Sequence, residues 1–108
     1  MSQSFTPPQS VIIAALRGLD WRDQYGRGGR EVGVARARDL SNGRAVSIET
    51  LKRMRAYFDR HEIDSQATGW LKGERGFPSA GRIAWELWGG DAGQKWAESK
   101  LKQLENES

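Results

Sequence analysis

Between Gly81 and Trp96 the chain reads GRIAWELWGGDAGQKW, with three tryptophans set around Gly89, Gly90 and Gly93. An indole carries more apolar area than any other side chain, and paired glycines let two backbones turn sharply and approach closely. In a chain of 108 residues holding five tryptophans, such a segment is either the hub of a small core or a formed binding surface. It contains no nucleophile, metal-ligand cluster or phosphate loop.

The remaining periodicity is helical. Thr6, Pro7 and Gln9 form a Thr-x-x-Gln capping box at the start of a first helix. Its apolar face is Val11, Ile12, Ala15, Leu16 and Leu19, extended by Trp21 and Tyr25. Gly26-Arg27-Gly28-Gly29-Arg30 ends it, because glycine is a poor helix former. A second helix is predicted from Glu31 to Ser41, with Val34, Ala37 and Leu40 inward and Asn42-Gly43 as its stop. Ser47 caps a third, whose stripe is Ile48, Leu51, Met54, the stem of Arg55, and Phe58, bordered by Tyr57. Glu49, Lys52, Arg53 and Arg60 then face water. A Gly-rich loop over residues 62–78 follows, anchored by Trp70, Leu71 and Phe77. Ser79 caps a fourth helix with Ile83, Ala84, Leu87 and Trp88 as its stripe, and Gly89-Gly90 closes it. Asp91 caps the last, with Trp96, Ala97, Leu101 and Leu104 as its apolar side. The expectation is an all-α single domain over residues 1–108 of about five helices, without strands and with flexible ends at 1–5 and 105–108.

Several function classes fall away on composition. The absence of cysteine removes disulfides, thiol catalysis and Cys-based zinc sites. His61-Glu62 opens like the zinc-protease helix motif, but Ser65 stands where the second histidine would be. No nucleophile elbow occurs, and His61 reads as a helix C-terminal residue placed well against the dipole. No catalytic residue, metal or cofactor is therefore expected. The longest apolar run, Val11 to Leu16, is too short to span a membrane, and MSQSFTPPQS lacks the regions of a signal peptide. A cytoplasmic protein is expected.

Charge supplies the positive signal. The net charge is +3, yet residues 1–60 carry 11 Lys/Arg against 6 Asp/Glu while residues 61–108 carry 6 against 8. Arginine dominates the basic half, and its planar, always-charged fork suits phosphate. Gly26 to Arg30 adds exposed backbone N–H groups to two guanidiniums, either as a phosphate cradle or as a plain connector. Within residues 31–61 the two helices and their Asn-Gly turn suggest a helix-turn-helix, although the linker Ser41 to Val46 is longer than the usual tight turn. Trp70 sits in a polar loop and Trp85 lies off the stripe of its helix. With Phe77 they form either an exposed patch for a protein partner or, packed on each other, an anchor for the loop.

The stretches GRGGREVGVARARDLSNG, TLKRMRAYFDRHEID and PSAGRIAWELWGGDAGQKWA together resemble a small helical domain encoded by tailed bacteriophages, cyanophages included. Such domains stand alone or lie beside head-maturation and structural genes. The likeness spans about residues 14–102, and the WGGDAG and RHE-D segments carry most of its specificity. The resemblance implies a viral protein acting in the cytoplasm of an infected bacterium and implies no catalytic residue. Together these observations predict a non-enzymatic protein that binds nucleic acid, DNA before RNA. Arg27, Arg30, Arg36, Arg38, Arg44, Lys52 and Arg53 would contact phosphates, with Thr50 and Arg53 nearest the base edges. The alternative is a module for binding a phage or host protein through Trp70, Phe77 and Trp85.

Overall fold

The computed structural model describes residues 3–107; Met1, Ser2 and Ser108, at the ends expected to be flexible, lie outside them. Among the described residues the chain is an all-α single domain of five helices: α1 (Gln9–Tyr25), α2 (Glu31–Ser41), α3 (Ile48–His61), α4 (Ala80–Leu87) and α5 (Gly90–Glu107). A short 3-10 helix, Glu62–Gln66, follows α3.

The capping box at Thr6 does not form. Pro8 disfavours helical backbone at Pro7, so α1 starts after Pro8, whose carbonyl accepts from the N–H groups of Val11 and Ile12 at 3.0 and 3.1 Å. The extended backbone upstream gives the chain an unexpected two-residue ladder. Ser4–Phe5 (β1) pairs antiparallel with Val46–Ser47 (β2), Phe5 opposite Val46. At the other end, α5 continues through Glu107.

The buried face of α1 is Val11, Ala14, Ala15 and Gly18, while Leu16 points outward. Small residues have displaced large ones because α1 meets the backbone of α4: a Cβ on Gly18 would lie 2.6 Å from the Leu87 nitrogen. α2 has the expected bounds. Ser47 and Ser79 cap α3 and α4 as expected, their Oγ atoms accepting from Thr50 N–H and Arg82 N–H, each at 3.1 Å. Asp91 is not the cap of α5. Gly89, at φ 111°, ends the preceding turn and its carbonyl accepts from Gly93 N–H at 2.8 Å, so α5 opens two residues earlier, at Gly90. Asp91 instead accepts from the Trp85 indole N–H at 2.9 Å.

Trp70, Trp85, Trp88 and Trp96 are all buried. Trp85 meets Phe58 and Trp70 edge-on at 4.7 and 5.3 Å, and Phe77 is half-buried against Trp21. The exposed aromatic patch of Trp70, Phe77 and Trp85 therefore does not exist; those rings hold the Gly-rich loop onto the core. Arg82 completes the anchor by donating to Trp70 O at 2.7 Å, its guanidinium 5.3 Å from the Trp70 ring. Glu86 is the buried acidic residue of the core, with its Oε1 2.7 Å from Arg17 Nη1 and its Oε2 3.6 Å from Arg82 Nε. Burial raises its pKa, against the hydrogen bond from Arg17 and the charges of Arg82 and Arg17.

α2 rests on α1 and α4, whereas α3 rests on α5. The two helices expected to form a helix-turn-helix scarcely touch, and the end of the connector between them pairs with Ser4–Phe5 in the ladder. No helix among the described residues is long and apolar enough to cross a membrane.

Candidate nucleic-acid interface

The residues expected to contact phosphates or base edges separate into three groups. Arg27 donates to Pro78 O at 3.1 Å and Gly76 O at 3.2 Å, so it is a strut for the Gly-rich loop. Arg36 is mostly buried, with its guanidinium 6.0 Å from the centre of the Trp88 ring and 3.7 Å from Asp39. Burial is the main cause of its lowered pKa, Asp39 opposing and the nearby charge of Arg53 adding to the shift. Thr50 is half-buried and its Oγ1 accepts from Ser47 Oγ at 3.2 Å. These three are internal supports. Arg44 is exposed and lies 3.8 Å from Asp39. Arg30, Arg38, Lys52 and Arg53 are exposed, and their side chains form no hydrogen bond or ion pair among the described residues. Arg60 belongs with this free set.

Divergence of α2 from α3 leaves a cleft of about 720 Å³ between the start of α2, the end of α3 and the start of α4. Arg30 and Gly33 stand on one side, Arg60 and His61 on the other, and the buried Tyr57 and Trp88 form the floor. Gly33 lets α2 come close to that floor, since a Cβ there would sit 3.2 Å from Trp88 Nε1. Seven residues separate Arg53 from Arg60, two helical turns, so the free charge continues along one face of α3 toward the cleft.

The floor is a ladder of flat groups. Trp88 stacks on Tyr57 at 4.6 Å and 8°, and Tyr57 stacks on His61 at 4.5 Å and 27°. The Arg36 guanidinium lies 6.0 Å from the centre of the Trp88 ring. Tyr57 and His61 are one helical turn apart on α3, the spacing that brings two side chains together. The tight turn of Glu62–Gln66 then carries Asp64 back to His61, Oδ2 to Nδ1 at 3.1 Å. Burial, with Asp64 adding to it, pushes the Tyr57 hydroxyl well above its ordinary pKa, and that oxygen has no hydrogen-bond partner among the described residues.

The cleft therefore combines two unpaired guanidiniums, donors for an oxyanion, with a rigid stack of rings. Arg60, Tyr57, His61 and Asp64 were missing from the sequence-derived site. Two signals for them were present: the Tyr57/His61 spacing, and an aspartate three residues beyond a histidine at a helix end. No family model, curated protein or solved structure matches this chain.

Proposed function

We propose that this protein binds nucleic acid, DNA before RNA, through the basic face that runs from the cleft along α3, and that it acts by binding and not by catalysis. The observation that supports this reading is the sorting of its cations. Arg17, Arg27, Arg36 and Arg82 are engaged by internal partners, while Arg30, Arg38, Lys52, Arg53 and Arg60 remain exposed and unpaired. Of these, Arg30 and Arg60 line the cleft, and like charges left without counter-ions repel each other, a repulsion that a polyanion relieves. The phage-infected bacterial cytoplasm implied by the sequence resemblance is the setting this reading assumes. A protein-interaction role would have to use other apolar surface, such as Ile13 and Leu16 on α1, now that Trp70 and Trp85 are buried.

Fluorescence anisotropy of labelled single-stranded and duplex DNA tests the reading at low and near-physiological salt. Micromolar or tighter binding is expected, with log affinity falling by about 0.7–0.9 per phosphate contact for each unit of log salt. R30E/R60E should weaken binding strongly, and R44E, beside Asp39 and outside the cleft lining, much less. Absence of binding to any DNA at low salt would overturn the reading.

A further inference from the structure

Guanidiniums at a rim suffice to track a phosphate backbone, so the ring ladder beneath them needs a different ligand feature. We propose that the cleft is a pocket for one unpaired nucleotide, its base stacked on the outer face of His61 and its phosphate held by Arg30 and Arg60. This rests on the nucleic-acid reading above and deepens it.

The ladder ends at His61. The ring is covered by Tyr57 on one face, no aromatic ring stacks on the other among the described residues, and 39% of the side chain is exposed. A nucleobase on that outer face continues an existing stack, a mode of recognition that tolerates any base because every base has a π-face. His61 is also already fixed, by Tyr57 beneath it and by Asp64 at its Nδ1, so little ordering remains to be done on binding. A volume of about 720 Å³ lies within the range of small-ligand sites. Arg30 and Arg60 both line the cleft, and their guanidiniums are the donors available to a phosphate group there. A base held in a duplex is covered on both faces, so it reaches the ladder only at a strand end, in a single strand or when extruded.

The chain has one histidine, which makes the test direct. Adenosine 5′-monophosphate is titrated into the protein while the His61 ring-proton NMR signals are followed, and the titration is repeated with adenosine. A saturable upfield ring-current shift is expected with the nucleotide, weaker with adenosine and weaker again in R30E/R60E. In parallel, single-stranded DNA should bind about tenfold or more tightly than a blunt duplex of equal length at the same salt, as one added base stack implies. H61A should lose that preference and H61F, which keeps a flat ring, should retain it; His61 is partly exposed, and melting curves verify that both variants fold. Equal or tighter duplex binding together with unshifted His61 signals overturns the pocket while leaving the nucleic-acid reading intact. Equal loss in H61A and H61F overturns the stacking. A saturable nucleotide shift without binding of any polymer supports the pocket and overturns the polymer reading.

Discussion

Gly18→Ala is the sharpest test of how this domain is packed, because two physical effects predict opposite signs. Gly18 lies in the interior of α1. There, alanine is favoured over glycine by about 1 kcal/mol, through backbone entropy and helix propensity. The structure argues against the gain. The new Cβ would stand 2.6 Å from Leu87 N and 2.9 Å from both Glu86 C and Leu87 Cα. All three are main-chain atoms of α4 and cannot rotate away, so α1 and α4 must separate. Overpacking costs about 1–3 kcal/mol, and an immovable neighbour places this site near the upper end. The net is a loss of about 2 kcal/mol, which for a domain of this size lowers Tm by on the order of 10 °C. Thermal melting followed by far-ultraviolet circular dichroism, with urea titration beside it, measures the change. An unchanged or raised midpoint would refute the close approach of the two helices. Leu87→Ala should not rescue the variant, since the conflict is with the main chain; a rescue would place the contact in the side chain instead.

Substitutions at three other positions probe separate parts of the structure. Trp88→Ala should cost about 3–5 kcal/mol in urea unfolding, as large aromatic deletions from cores do, and an unchanged midpoint would remove Trp88 from the core. Ser47→Ala should cost about 1 kcal/mol by the same measurement, through loss of the cap on Thr50 N–H. Glu86 has a raised pKa when folded, so its contribution to stability is full below its ordinary value of 4.5 and is lost as pH rises through the folded value. Glu86→Gln removes that loss, and the stability of the variant relative to the parent should grow from acid to neutral pH. A parent that gains stability over this window faster than Glu86→Gln would reverse the sign. Glu86→Ala should be less stable than Glu86→Gln at every pH, because it strips the carboxylate from Arg82 without filling the space.

What could be read from the sequence was local. Ser47 and Ser79 cap helices through their own backbone three residues on, and the bounds of α2 follow from glycines at either end. Where two local rules competed, the stiffer one won: the steric effect of Pro8 on Pro7 excluded the Thr6 capping box. The inward face of α1 could not be read because apolar bulk was a poor guide to a helix that approaches another main chain; Ala14, Ala15 and Gly18 went in and Leu16 stayed out. The long-range pairs were likewise hidden. Nothing near Arg27 in the sequence announces its bonds to Gly76 and Pro78, and nothing near Trp70 announces Trp85. The cleft was the hardest to foresee, since it arises from two helices that do not pack on one another.

The same residue type plays two parts here. A small domain without cysteine has few ways to fasten a long loop. This one uses guanidiniums, which can lie flat on rings and donate to carbonyls at once: Arg82 lies near Trp21, Phe77 and Trp70 and bonds Trp70 O, and Arg27 lies near Tyr25 and bonds Pro78 O. Net charge therefore overstates the cations on offer to a partner in some places and hides them in others. Around the cleft the accounting differs. Asp64 is the carboxylate lining it, and it faces His61, not Arg30 or Arg60. A purely structural role would be expected to pair those two arginines, as Arg17 and Arg82 are paired with Glu86. Their lack of partners, beside a stack of rings that ends on the partly exposed His61, is the arrangement that the proposed anionic, flat ligand would use.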